Sequence, residues 1–396
     1  MNLRQFLLLF ICSLVTWWVG IGLMPLLPIY AATLGATPTV VGIFLAFSFF
    51  TLALGTASAG WLARKLSRRT RLLTLLSLAG ATAAALLGLA TQLWQVVLLV
   101  AAIWFISGVS LVLVGVLAGL AATSHARGRV FGWLSASVAL AGVVGGLVMG
   151  PLAERWGYPA LFGLIAVTYL VQTLSAPFIA EPAPSSASPA PAKRKQQWHP
   201  SGVFVFLLAA NVCYSIGSFV AGMGRSLAMD QAGFGISAIS VVAGVGSAAG
   251  LVAMPLVGRL SDGGNRLLML ALTYALGVLA LLGMVYAGSL ATFLTVAALM
   301  AAASAERAVA SALVTDLAPA GALDQYMAQF DTVRWAAGVV GFAGAGYCVE
   351  VAGLTATLLL GAGLGGLSIA LLAVAGWLQR RREYESFCSL WVAPSK

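Results

Sequence analysis

From about residue 5 to residue 379 the chain is a succession of apolar runs, each about 20 residues or longer, separated by short basic or Gly/Pro-rich breaks. A helix of that length covers about 30 Å of hydrocarbon, so each run predicts a membrane crossing. The breaks predict twelve crossings, near 5 to 30, 39 to 63, 70 to 91, 94 to 122, 129 to 152, 158 to 180, 202 to 224, 235 to 259, 266 to 286, 289 to 315, 325 to 349 and 354 to 379. Barrel strands would alternate polar and apolar residues over about ten positions, and these runs do not, so the expected fold is an all-α membrane protein. Only 8% of the residues are charged, against roughly 25% in soluble domains.

The net charge of +10 does not point to nucleic acid, because the basic residues sit in short clusters between crossings. The densest is Gly60-Trp-Leu-Ala-Arg-Lys-Leu-Ser-Arg-Arg-Thr-Arg71. If the N-terminus is cytoplasmic, every Lys and Arg falls on the inner side except Arg155, Arg225, Arg307 and Arg334. The positive-inside rule therefore places both termini in the cytoplasm. The first apolar run is too long for a cleavable signal core and reads as the first crossing.

Residues 181 to 200 are rich in Pro, Ala and Ser, end in a basic triplet followed by His199, and read as a cytoplasmic linker. The expected organisation is a six-helix bundle over 1 to 180, the linker, a second bundle over 201 to 380, and a cytoplasmic tail over 381 to 396. Cys12, Cys213, Cys348 and Cys388 have neither metal-ligand nor paired redox spacing and are expected to be reduced.

The two halves repeat. Gly60, Leu62 and Gly35 match Gly258, Leu260 and Gly233 at an offset of 198. Ala141-Gly-Val-Val-Gly145 recurs as Ala337-Gly-Val-Val-Gly341 at an offset of 196, which also pairs Gly150 with Gly346, Glu154 with Glu350 and Gly157 with Gly353. Two parallel six-helix pseudo-repeats are a transporter architecture.

These residues carry a family likeness: the chain resembles the major facilitator superfamily over nearly its whole length. Gly60, Leu62, Lys65, Arg68 and Arg69 fit the family's loop after crossing two, with Arg64 in place of the acid and Ser67 in place of a glycine. Gly258, Leu260, Asp262 and Arg266 fit its second copy. Arg127-Gly-Arg-Val-Phe-Gly132 and Ala153-Glu-Arg-Trp-Gly157 are similar to the family as well. Gly142, Gly145, Gly146 and Gly150-Pro151 come close to a glycine-rich pattern of its antiporters, and also suit plain close packing. The likeness implies the family's fold, alternating access and, closest in pattern, a bacterial drug/proton antiporter. It also implies a cytoplasmic gate built from Gly60, Arg64, Arg68, Asp262, Arg127, Arg129 and Asp324. Arg64 is expected to pair with Asp324, or with Asp316, a latch with exchanged charges, and Asp262 with Arg127 or Arg129.

Charges within the crossings are costly and concentrate in the second half: Glu306 and Arg307 in crossing ten, Asp331 and Arg334 in crossing eleven. At 1.5 Å per residue they lie about 10 to 15 Å from the inner ends, close enough to meet. They are candidates for proton coupling, or form a static buried ion-pair network. Trp17, Trp18, Trp104 and Phe105 are candidates to line a substrate cavity. Arg225 and Asp230 end crossing seven as a possible outer gate or anion site, unless Arg225 snorkels to the interface. Pro25 and Pro28 predict a break in crossing one.

No phosphate-binding loop of the Walker type, catalytic arrangement or metal cluster is present in the sequence, so no enzyme, metal or cofactor is expected. The expected function is proton-coupled efflux of a lipophilic small molecule by a monomer. Uptake of a small polar or anionic nutrient, facilitated passage, and a non-transporting sensor or assembly factor are the alternatives.

Overall fold

The computed structural model describes residues 3–65, 68–121, 127–181, 201–262, 265–319 and 323–392. The described residues are helical or in short connections, with no strand among them. Among the described residues, ten helices are long and apolar enough to cross a membrane. Two of those, of 43 and 53 residues, are too long for one crossing, since straight helices of that length would span about two to three times the hydrocarbon thickness.

The chain runs through α1 (Leu3–Leu23), α2 (Leu27–Thr33), α3 (Pro38–Lys65), α4 (Arg69–Leu87), α5 (Leu93–Ala121) and α6 (Arg127–Ser175). The second half follows as α7 (Gly202–Gln231), α8 (Ile236–Asp262), α9 (Arg266–Val285), α10 (Leu290–Ala303), α11 (Glu306–Leu317) and α12 (Leu323–Val392). α6 folds back at Gly157 (φ 80°) and α12 at Gly353 (φ 83°), so each supplies two crossings. Two crossings are interrupted: α1/α2 around Pro25, toward the end opposite the N-terminus, and α10/α11 at Ser304 and Ala305, near the middle. Counted this way, the described residues make twelve crossings.

The positive-φ glycines show why the halves match. Gly35, Gly157, Gly233 and Gly353 all have φ between 80° and 83°, a region costly for a residue with a Cβ. They form two pairs at the sequence offsets of 198 and 196, and each turns the chain at the end of the bundle opposite the N-terminus, called here the far end. The first break has a different cause: Pro28 lies in the first turn of α2, where its missing N–H costs nothing, whereas a proline within α1 would interrupt the ladder.

Between 33 and 61% of each crossing window is buried inside the protein. Other apolar side chains, such as Leu98, Leu174 and Val252, point outward, which water would penalise and lipid does not. The halves meet along α6 with α8 and α3 with α12, and glycine lets them approach closely. A Cβ on Gly42 would lie 2.8 Å from the Gly346 Cα, and one on Gly244 3.0 Å from the Gly146 Cα. Gly150 N–H donates to Ser240 Oγ at 3.1 Å in the same seam.

Candidate functional site

A cavity of about 420 Å³ lies between the halves, lined by Thr16, Trp17, Met24, Phe49, Trp104, Arg225, Met254, Met300 and Trp335 among others. Its volume suits a small molecule and its lining is mainly apolar. Phe49 organises the aromatic wall, with ring centroids 4.9 Å from Trp104, 5.1 Å from Phe219, 5.9 Å from Trp335 and 4.9 Å from Phe342. This joins a first-half ring to three rings of the second half. Of the four aromatic residues singled out from sequence, Trp17 and Trp104 face the cavity. Trp18 is buried in the central core and Phe105 packs in the cluster around Leu9 and Leu113. Gln172 bonds Thr16 at 3.2 Å, so that polar group ties crossing six to crossing one.

Arg225 also lines the cavity, about 9 Å from the far end of α7. Its Nε is buried without a hydrogen-bond partner, so the side chain turns inward and does not snorkel. Asp230 is exposed near the far end of α7. No ion pair between these two occurs among the described residues. Glu154 and Glu350, noticed in the sequence only as a repeated pair, make contacts there instead. Glu154 Oε2 accepts from Ser237 N–H at 2.9 Å, and Glu350 Oε2 from Thr39 N–H at 2.9 Å. Each acid caps the first turn of a helix in the other half, where unpaired N–H groups favour a carboxylate.

The break in crossing ten creates the second feature. Ser304 Oγ bonds Ala301 O at 2.6 Å, and α11 then starts with Glu306, placing an acid at the positive end of a half-helix. Glu306 is fully buried. Its Oε1 is ion-paired with Arg334 of α12, while Oε2 has no partner. Beside it lies a void of about 60 Å³, lined by Tyr214, Met300, Ser304, Glu306 and Arg334 among others. Tyr214 stacks on Tyr274 with centroids 3.9 Å apart and planes 8° from parallel. Met300 and Ser304 line both this void and the large cavity.

The other two charges form no ion pair with these residues, although Arg307 lies within electrostatic reach of Glu306, Arg334 and Asp331. Arg307 places its guanidinium 5.9 Å over the Trp335 ring, a cation-π geometry. Asp331 is exposed. Of the four, Glu306 and Arg334 form the ion pair.

At the end carrying the N-terminus, Gly60 is exposed in α3 and Arg68 is the exposed N-cap of α4. Arg64, Arg127, Arg129, Asp262 and Asp324 stand on helices, and their side chains lie outside the described residues. Asp316 pairs with Arg266. Glu181 reaches Arg69 N–H at 3.1 Å, Thr70 N–H at 3.3 Å and the Arg69 guanidinium at 3.2 Å. Burial raises the Glu181 pKa, and these donors outweigh it, leaving the carboxyl below its ordinary value. Cys12, Cys213 and Cys348 are free thiols. No metal-ligating cluster occurs among the described residues.

Twelve crossings in two matching halves, with a cavity at their interface, define a multi-pass membrane transporter of the two-bundle type. The family model of the Major Facilitator Superfamily matches residues 7–287, and the chain belongs to that superfamily. It is a transporter and not an enzyme.

Solved structures of similar fold include a bacterial homologue of the human lysosomal transporter Spinster, inward-facing and occupied (TM-score 0.76, 14% identity, 94% of this chain and 96% of that one). The nucleoside transporter NupG in mutant form is similar at TM-score 0.77 and 12% identity, covering 94% of this chain and 99% of that one. The POT family transporter PepTSo is similar at TM-score 0.75 and 13% identity, covering 97% and 99%. At these identities the likeness is one of fold. No curated protein sequence matches the chain.

Proposed function

We propose that the protein is a proton-coupled secondary exporter of a small lipophilic compound, acting as a monomer in a bacterial-type inner membrane with both termini cytoplasmic. The observation that carries this reading is Glu306: a buried acid at a helix break, with one oxygen on Arg334 and the other unpartnered. It is linked to the apolar cavity through Met300 and Ser304. An ion pair in an apolar interior is strongly coupled to protonation, because removing one charge leaves the other exposed to the low-dielectric surroundings. A proton on Glu306 frees Arg334 and loosens α11 from α12. Its release restores the pair, so the two states differ in the packing of the broken crossing.

Alternating access also needs a seal. The far end, read as the outer face, is held by the two carboxylate caps and by the glycine crossings of α3 with α12 and α6 with α8. The described conformation is read as the outward-closed state, in which substrate enters from the cytoplasm. Rocking the halves breaks both caps and opens the other side. On the inner side, Arg64 with Asp324, and Asp262 with Arg127 or Arg129, form the complementary latch.

Proteoliposome flux with and without an imposed pH gradient tests the reading. Gradient-dependent accumulation supports coupled transport, gradient-independent equilibration identifies a facilitator, and absence of any flux points to a sensor or assembly factor. A second reading, uptake of a small anionic nutrient, is favoured by one observation, the unpaired Arg225 in the cavity.

A further inference from the structure

We infer that the cargo carries a negatively charged oxyanion on a flat apolar body, and that Arg225 is the residue that recognises the charge. The inference rests on the transporter reading of the cavity and holds for either direction of transport.

The argument begins with charge accounting. A guanidinium remains ionised in a protein, so Arg225 keeps its charge within the bundle. No described acid answers it: no ion pair or hydrogen bond of the Arg225 guanidinium occurs among the described residues, and its Nε is buried without a partner. Glu154 and Glu350 are spent on helix ends in the opposite half. Glu306 is bound to Arg334. Asp230 is exposed five positions further along α7, beyond the spacing at which helical side chains meet. Asp331 lies about 12 Å from the opposite end of the bundle, well below the level of Arg225.

An unpaired cation inside a membrane protein is expensive, and its retention marks a ligand or ion path. The rest of the wall limits what the ligand is. Trp17, Trp104, Phe49 and Trp335 form an aromatic wall, with Met24 and Met300 as adaptable fillers. A planar apolar body fits between them. A carboxylate, sulfonate or similar oxyanion at one end meets the guanidinium fork in the two-point geometry that arginine favours. Arg307, over the Trp335 ring that also lines the cavity, has Glu306 and Asp331 within electrostatic reach and needs no anionic ligand to balance it.

The test is a thermal-shift and tryptophan-fluorescence titration of the purified full-length protein. The probes are a panel of carboxylates, 2-naphthoate, 4-phenylbutyrate and decanoate, each against its uncharged amide. At least one carboxylate is expected to bind tenfold or more tightly than its amide. Arg225→Gln should abolish that preference, bringing each carboxylate to the affinity of its amide in the same variant, and the unliganded melting temperature reports whether the variant folds. Arg225→Lys, which keeps the charge without the fork, should retain part of it and guards against a variant that fails to fold. The inference is overturned if no carboxylate outperforms its amide, or if the preference persists in Arg225→Gln. Because the titration uses no gradient, anion binding without coupled flux removes the exporter reading and leaves this one. Coupled flux of neutral or cationic compounds without anion preference does the reverse.

Discussion

The Glu154 carboxylate accepts the Ser237 backbone N–H at 2.9 Å, and the repeat-related Glu350 accepts Thr39 N–H at the same distance. Both bonds cross between the halves, so the pseudo-symmetry of the chain becomes a reciprocal clasp. If the clasp biases the equilibrium toward far-end closure, Glu154→Gln and Glu350→Gln should each raise the open population, and the double variant should raise it further. Spin labels placed on the far ends of α3 and α12 would report this as a longer distance component. An unchanged distance distribution in the double variant would rule the clasp out as a gate.

The glycine seam beneath it makes a steric prediction. A Cβ on Gly346 would sit 2.7 Å from the Gly42 Cα, and backbone cannot move aside as a side-chain tip does. Gly346→Val should therefore cost about 1–3 kcal/mol in the closed state, the usual penalty for overpacking. The protein can meet that cost by melting earlier or by opening. A lower melting temperature or faster labelling of a cysteine introduced in the cavity is expected, and neither change would count against the seam.

Glu181 offers a pH test in a part of the chain outside the crossings. Its hydrogen bonds cap α4 in place of Arg68, whose own side chain makes no cap. The folded carboxyl has a pKa below its ordinary 4.5, so its stabilisation is complete above about pH 4.5 and fades as the pH falls through the lower, folded value. Glu181→Ala should cost about 0.5–2 kcal/mol near neutrality, the range for losing a cap. Thermal melts of parent and variant should converge in acid; a constant gap would contradict the assignment.

The inner latch is tested by exchange. Reversing Arg64 to Glu or Asp324 to Arg should each impair transport, and the double reversal should restore it. An exposed pair contributes only about 0 to 1 kcal/mol, so the effect belongs to rates and not to folding. A double variant no better than the singles removes the latch.

Much of the fold was legible in the sequence because its signals are local. Apolar run length set the crossings, Pro25 and Pro28 marked the first break, and Gly157 paired with Gly353 pointed to the turns that fold α6 and α12 back on themselves. The break in crossing ten was not legible, since Ala-Ser-Ala at 303 to 305 contains neither proline nor glycine. There the tertiary pairing of Glu306 with Arg334 accompanies the interruption. Trp17 and Trp18 could not be told apart for a related reason: in a helix apolar all round, no polar face says which side meets the cavity. Arg225 stands about 9 Å from its helix end, a depth compatible with snorkelling or with turning inward, and only the neighbouring helices decide. Phe49, the hub of the aromatic wall, carried no signal beyond being one apolar residue among many.

The most direct test of coupling at Glu306 is proton movement in proteoliposomes containing a pH-sensitive dye. Lipophilic carboxylates, amides and cations would be added to the parent and to Glu306→Gln. The parent should move protons when its cargo is added, and the variant should not, while still exchanging labelled cargo down its own gradient. Cargo-driven proton movement that survives undiminished in Glu306→Gln would contradict the account at its centre.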